Sequence, residues 1–279
     1  MGLYSSKGSP VYSAYNSSGE PVFTIYDKQA LVKFPYDLCV MSFNPQWFTG
    51  INSQEKMLMD IFFKNNADLV GLQEASKTET IPAVGNNIMC MLYPYSAIFN
   101  HYNYLALKSK YELSDITMAD YVSQDPNMNE TRGYLKAYIT VNGKRVCFIT
   151  THLELQETYR NAQMAELFAI AENENYVILT GDFNTVSNEL DSDDYRNMYK
   201  QYVDAGYHLA NCSERNGFIK TYSGGNNHTT LDQFRSACDN IIVSGNIDIV
   251  AREVDTTKLH FLDGNNIDHC PIVAKLIIN

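Results

Sequence analysis

Six apolar runs of this chain begin or end in a residue able to ligate a cation or move a proton. MSFN closes on Asn44, GLQE on Glu74, FITTHLE carries His152 near its end, and LTGDFN supplies Asp182 and Asn184. CDNIIV opens with Asp239, and NIDHCPIV presents Asp268 and His269 just before the final run. Any one of these is an ordinary turn former, cap or satisfied half-buried group. Six at the ends of six sheet elements form a constellation. Hard oxygen donors such as Glu74, with Asn44 or an Asp, suit Mg²⁺ or Mn²⁺, and the lack of clustered Cys and His argues against zinc. Magnesium takes one or two carboxylates and keeps several waters or substrate phosphate oxygens. Two histidines and spare carboxylates are then left for proton transfer and for holding a phosphoryl group, as in-line attack of water on a phosphoester requires.

In VILTGDFNT the alternation of an extended chain puts Asp182 and Asn184 on one face and Phe183 on the other, a small polar platform able to orient water. The plainer alternative is a buried strand that leaves through an Asx-type turn.

The elements that must position these residues can be read from periodicity. Residues 1–36 are rich in Tyr, Ser and Gly and contain the hairpin-like SAYNSSGEPVFTIYD, with Asn16 to Glu20 as its turn. They are expected to form an extension or β-ribbon ahead of one domain over 37–279. In that domain DLCVMSFN reads as a strand, NSQEKMLMDIFFKNNA as an amphipathic helix capped by Asn52, and DLVGLQE as a strand. YLALKSKYEL follows, then two strands joined at Asn142-Gly143, a strong hairpin signal. TYRNAQMAELFAIAENEN reads as a helix, YVILTGDFNT as a buried strand and DSDDYRNMYKQYVDAG as one helix. KTYSGGNNHTTLDQF is loop-rich, and CDNIIVSG, DIVAREVD and PIVAKLII are strands. Hairpins mixed with strand–helix–strand units predict packed mixed sheets flanked by helices, not a purely parallel doubly wound sheet.

The ordered set SFN, LQE, TTHLE, GDFN, CDNIIVS and IDHCP resembles the endonuclease/exonuclease/phosphatase superfamily, and YLALKSKYEL resembles its G-N-x-x-L-S-K segment. The resemblance runs from about Asp37 to the C-terminus. It implies an α/β fold of the deoxyribonuclease I type: a four-layer α/β/β/α sandwich with two mixed sheets face to face and helices outside. It also implies divalent-metal hydrolysis of phosphoesters. Carried over residue by residue, it makes Glu74 the principal ligand of Mg²⁺ (or Mn²⁺), with Asn44 and Asp268 near the same metal. His152 and His269 flank the scissile phosphate, Asp182 accepts the proton of the attacking water or holds that water, and Asp239 orients a histidine. Asn184 contacts a phosphate oxygen; Arg132 stands where many bacterial relatives carry Arg and is either a further phosphate contact or a solvated strand-edge residue. Two positions depart from the pattern: Ile267 replaces the usual Ser before Asp-His, and Asn240 replaces an aromatic.

Composition narrows the partners. The chain has 279 residues and a formal charge of −11, from 21 basic against 32 acidic residues, with no basic run to serve as a nucleic-acid-binding tail. Six cysteines show no CxxC or zinc-like pairing, which predicts free thiols. No apolar stretch approaches a membrane span and the N-terminus lacks a secretory signal pattern. A monomer without an obligate protein partner is expected, either cytoplasmic or secreted with its signal removed. The TTHLE element resembles the branch of secreted nucleases, sphingomyelinases and inositol-phosphate phosphatases more than the abasic-site repair branch. The expected substrate is a nucleic acid or a small or lipid phosphodiester. HFLDGNN, GGNNHTTLDQ and PAVGNNIMCMLYPY are candidate rims, with Tyr93, Tyr95, Tyr102 and Tyr104 available for stacking. The competing class is a catalytically silent binding module of the same fold.

Overall fold

A computed structural model of the chain describes residues 10–15, 21–26, 35–45, 52–75, 91–99, 104–185, 192–212, 218–223, 230–260 and 267–279. The chain divides into two compact units, Met1–Pro35 and Tyr36–Asn279. In the first, β1 (Pro10–Tyr15) pairs antiparallel with β2 (Pro21–Tyr26). The turn expected at Asn16 to Glu20 lies outside the described residues, as do Cys90, Tyr102 and most of the three candidate rims.

The second unit begins with β3 (Leu38–Phe43), α1 (Asn52–Asn65) and β4 (Leu69–Leu72), the strand–helix–strand unit read from the sequence. β5 (Tyr95–Phe99), β6 (Leu105–Ser109) and β7 (Ser114–Asp120) follow. The hairpin of β8 (Gly133–Val141) and β9 (Lys144–His152) turns at Asn142 and Gly143, both at positive φ (51° and 76°), as a two-residue hairpin turn requires. Next come α2 (Glu157–Ala171), β10 (Val177–Asp182), α3 (Asp193–Met198), α4 (Lys200–Asp204) and β11 (His208–Leu209). β12 (Asp239–Val243), β13 (Ile247–Val254) and β14 (Ile272–Ile278) complete the chain.

Two six-stranded sheets result, ordered β11-β12-β10-β9-β8-β7 and β13-β14-β3-β4-β6-β5. Among the described strands β9/β10 and β3/β4 run parallel and the other neighbours antiparallel, so both sheets are mixed. Three apolar layers show the stacking. Leu38, Val40 and Leu107 of one sheet meet Leu135, Phe148 and Ile178 of the other in the central core. Met41, Phe43, Val70 and Leu72 turn the opposite way, onto Met57, Leu58, Ile61 and Phe62 of α1, whose spacing lines one helical face. Cys147, Ile149 and Leu179 pack against Met164 and Leu167 of α2 and Tyr202 of α4. Strand alternation thus feeds one side of each sheet to the other sheet and the second side to helices, which is the four-layer α/β sandwich.

The expected single helix over DSDDYRNMYKQYVDAG is instead two, broken at Tyr199 (φ −102°, ψ −22°). Its fully buried ring packs on Phe183 and Phe218 at 5.8 and 5.5 Å, so tertiary packing overrides the local helical pattern. The five described cysteines are free thiols. No described helix is long and apolar enough to cross a membrane.

Candidate active site

Register sets the site. In one sheet Asp182 pairs with His152 on one side and Asp239 on the other, and His152 pairs with Gly133, next to Arg132. These residues form a single row at one end of four strands. In the other sheet Phe43 pairs with Leu72, so Asn44 and Glu74 leave neighbouring parallel strands at the same end. Ile272 pairs with Ser42, which brings Asp268 and His269 there as well.

The rows from the two sheets meet in direct contacts. Asn44 Nδ2 donates to Glu74 Oε1 at 3.2 Å and to Asp182 Oδ2 at 3.0 Å, tying the sheets together at the cleft. Asp182 Oδ2 lies 3.5 Å from His152 Nε2 and 3.5 Å from His269 Nε2. His269 Nδ1 is 2.8 Å from Asp239 Oδ2, and its Nε2 is 3.6 Å from Asp268 Oδ1. His152 Nδ1 stands 3.9 Å from Glu74 Oε1. Asn44, Glu74, His152, Asp182, Asp239, Asp268 and His269 are therefore brought together.

Asn184 arrives by a different route from the one alternation suggests. β10 ends at Asp182, and Asn184 adopts the left-handed conformation (φ 51°) with its N–H donating to Asp182 Oδ1 at 3.0 Å. This is the Asx-type turn, and it braces the carboxylate from behind. The Asn184 amide donates to the Leu153 carbonyl at 2.7 Å. Phe183 turns away from Asp182 and packs into the helix layer. Glu74 is also left-handed (φ 49°), fixed on either side by Gln73 N–H to Phe43 O and Ala75 N–H to Tyr104 O. A non-glycine residue held there costs about 1–3 kcal/mol and persists only where its surroundings over-determine it.

Arg132 is buried beside this row. Its Nε lies 3.7 Å from Glu154 Oε2, and its backbone is clasped by Gln124, which accepts the Arg132 N–H and donates to its carbonyl. Sequence reasoning passed over Gln124, and over Thr221 and Tyr222, because they lie in segments with no apolar period. Thr221 Oγ1 accepts the Asp239 N–H, and the Tyr222 ring rests on His269. Of the candidate stacking tyrosines, Tyr93 is buried against Phe62 in the α1 core, whereas Tyr95 is exposed. Ile267 is buried in that same core. Asn240 Oδ1 accepts the N–H groups of Asn211 and Ile241.

Electrostatics separate the two histidines. Burial, reinforced by the positive charge of Arg132, holds His152 down to about 3, a neutral ring. Burial also opposes charge on His269, but Asp239, Asp182 and the Asp239 hydrogen bond outweigh it and raise His269 to about 10. Burial pushes Glu74 up to about 7 despite the Asn44 hydrogen bond, and raises Asp268 and Asp239 above ordinary carboxylates. Asp182 goes the other way: burial would raise it, yet the positive charge of His269, the Asn44 hydrogen bond and the Asn184 N–H hold it ionised.

The donor set fits a hard divalent cation. Glu74 and Asp268 are carboxylates, and the buried Asp268 Oδ1 has no hydrogen-bond partner among the described residues. A second possible group, Asp182, Asp239 and His269, has its donor atoms within 4.8 Å of one another. In this trio His269 Nδ1 is hydrogen-bonded to Asp239, which fixes the ring and turns Nε2 toward Asp182.

The domain of the human Nocturnin catalytic domain, solved with bound sulfate, superposes with a TM-score of 0.64 at 15% identity, over 87% of this chain and 94% of that one. D. rerio TDP2 in complex with a single-strand DNA product gives 0.61 at 17% identity, over 86% and 98%. A mannosyl-6-phosphatase of Bacteroides thetaiotaomicron gives 0.61 at 14% identity, over 86% and 99%. At these identities the likeness is one of fold. No curated protein matches the sequence significantly. The model of the Endonuclease/Exonuclease/phosphatase family matches residues 41–260, and the chain belongs to that family.

Proposed function

We propose that the protein is a divalent-metal-dependent phosphoester hydrolase that works by in-line attack of an activated water. The observation that carries this reading is the placing of Asp182 Oδ2 at 3.5 Å from both His152 Nε2 and His269 Nε2, with Asn44 fixing the same oxygen. An ionised carboxylate held between two imidazoles is a base with proton-holding groups on both sides.

In this reading Glu74, Asn44 and Asp268 hold Mg²⁺ or Mn²⁺. Bound there, the cation supplies charge neutralisation at the phosphate and polarises its oxygens. Asp182 orients the attacking water and accepts its proton, while Asn44 and the Asn184 N–H keep its oxygens aimed. His269, backed by Asp239, presents an N–H to the phosphate and stabilises the charge that gathers on it. Neutral His152 lines the other side, and Arg132 adds positive charge behind it. Asn184 gives one amide N–H to the Leu153 carbonyl and keeps the second for a phosphate oxygen, while its backbone N–H braces Asp182.

The substrate class is a phosphoester, from a nucleic acid or from a small or lipid molecule. The single-strand DNA product on D. rerio TDP2 and the name of the Bacteroides mannosyl-6-phosphatase support that breadth. Hydrolysis of bis-p-nitrophenyl phosphate, plasmid DNA and a phosphomonoester with Mg²⁺ or Mn²⁺, against EDTA, tests the reading. Metal-dependent release is expected, and Glu74→Gln should abolish most of it while leaving the protein folded. A metal-loaded protein that cleaves none of the three would favour the silent binding module. Wild-type turnover by Glu74→Gln in Mg²⁺ would place the chemistry elsewhere.

A further inference from the structure

Thr221, Tyr222 and Ser223 lie outside both sheets, in a segment the sequence marks only as loop. Tyr222 bridges to Ser236 on one side and to His269 on the other. The segment is anchored by its backbone: the Thr221 and Tyr222 N–H groups donate to Ser236 O, Arg235 N–H donates to Tyr222 O, and Cys270 N–H donates to Thr221 O at 2.8 Å. From that anchored line each residue sends one contact into the site. Thr221 Oγ1 accepts the Asp239 N–H at 3.1 Å, and the Ser223 N–H donates to the Asp268 carbonyl at 2.7 Å. Between them the Tyr222 ring packs on the His269 ring, with centroids 4.9 Å apart and planes inclined by 43°.

We propose that Tyr222 is a positioning residue for His269, an inference that rests on the hydrolase reading above. The Asp239 hydrogen bond fixes one edge of the imidazole at Nδ1 but leaves its plane free to rock about the bond to the backbone. An aromatic face against the ring removes that freedom. Nε2 is thereby kept in line with Asp182 and Asp268, where a phosphate oxygen or leaving group must be met. The hydroxyl of Tyr222 takes no part in these contacts, so the ring alone carries the effect. Half-buried Tyr222 also stands on a line whose other two members hold the carboxylate-bearing residues on either side of His269, so the histidine and its neighbours share one frame.

Two measurements on the full chain test this. The first needs no activity: the Nδ1 and Nε2 nitrogen-15 resonances of His269, which follow its hydrogen bonding far more than a neighbouring ring current and are assigned with the His269→Gln variant, should move in Tyr222→Leu and stay near their wild-type positions in Tyr222→Phe. The second is kinetic, with bis-p-nitrophenyl phosphate and Mn²⁺. Tyr222→Leu should lose about 10- to 100-fold in kcat, the scale of a misaligned catalytic group, with KM changed little, whereas Tyr222→Phe keeps wild-type kcat. Unmoved resonances in Tyr222→Leu, or a Phe variant as impaired as the Leu variant, would overturn the inference. Unchanged kcat in Tyr222→Leu, with the protein folded and wild type active, would overturn it too. A wild-type protein without turnover would overturn the hydrolase reading and the kinetic half with it, while the resonances would still decide whether Tyr222 sets the ring.

Discussion

Asp182 is the residue on which the others converge, and its neighbours differ in charge although they are chemically alike. His152 sits on the Arg132 side and is held neutral, whereas His269 faces three carboxylates and is held protonated. Two identical side chains thus take two roles because their surroundings differ, and each should be indispensable in its own way. His152→Ala and His269→Ala are each expected to lose on the order of 10² to 10⁴ in kcat, the usual worth of a positioned acid or base. The double variant should lose far less than the product of the two, because both act on the same transition state through Asp182. Melting temperature and kcat measured on the same samples decide between this and a structural role. Variants that melt lower yet turn over normally per folded molecule would make the histidines mere packing groups.

The elements that carry these residues are joined most tightly just behind them. Gly71 of β4 lies against Thr180 of β10 and Thr150 of β9, and a Cβ at Gly71 would come within 2.8 Å of Thr180 Cβ and 2.9 Å of Thr150 Oγ1. Gln73 Nε2 donates to Thr150 Oγ1 across the same gap. Gly71→Ala should therefore force the sheets apart and destabilise by about 1–3 kcal/mol, the range for an overpacked core. Thr180→Ala should relieve part of that, so the double variant costs less than the sum of the singles. Additive losses in chemical denaturation would show that the sheets do not press on each other here.

A second join secures the Asp268 end. Asp255, just past β13, is buried and accepts from Lys64 Nζ (2.8 Å), Thr257 N–H (2.8 Å), Thr257 Oγ1 (2.6 Å) and the Asn65 amide. Lys258 Nζ then donates to Ile267 O at 2.9 Å, immediately before Asp268. Burial would raise the Asp255 carboxyl, but the Lys64 and Thr257 hydrogen bonds prevail and lower it below 3.8. A carboxyl whose pKa is lower folded than unfolded gives stability that is present above the unfolded value and lost as pH falls through it toward the folded value. Asp255→Asn should thus lower the melting temperature at neutral pH and flatten its fall below roughly pH 4. Parallel acid limbs for variant and wild type would contradict this.

Much of this level was legible in the chain. The apolar runs ending in Asn44, Glu74, His152 and Asp182 mark strands because burial on both faces leaves an unbroken apolar signature that stops where the cleft begins. β7 was not legible, since its residues SDITMAD are exposed along almost the whole edge strand and carry no apolar face to read. The Asx-type turn at Asn184 was legible as the plainer of two readings of GDFN, because Asp182 makes it locally by accepting the Asn184 N–H. The line at Thr221 to Ser223 escaped because it is defined by backbone hydrogen bonds to residues distant in sequence, which leave no period in side-chain type.

At the scale of the whole molecule, the chain carries a formal charge of −11 and draws four carboxylates, Glu74, Asp182, Asp239 and Asp268, to one end of its two sheets. Burial pushes Glu74, Asp239 and Asp268 toward the neutral form, so their charged forms carry a desolvation penalty in the folded state that a bound divalent cation would offset. A ligand that binds only the native state stabilises it by about 2.7 kcal/mol at a concentration 100 times its Kd. For a domain of this size that corresponds to a rise of about 5 to 10 °C in melting temperature. Mn²⁺ or Mg²⁺ should therefore raise the melting temperature over EDTA by that order. Glu74→Gln should lose most of the rise, whereas a surface variant such as Asp193→Asn, on an exposed helix start, should keep it. Cations gathered loosely by the acidic surface would instead shift wild type and Glu74→Gln equally. Equal shifts would mean that overall charge, not the cleft formed by Asn44, Glu74 and Asp268, accounts for the binding.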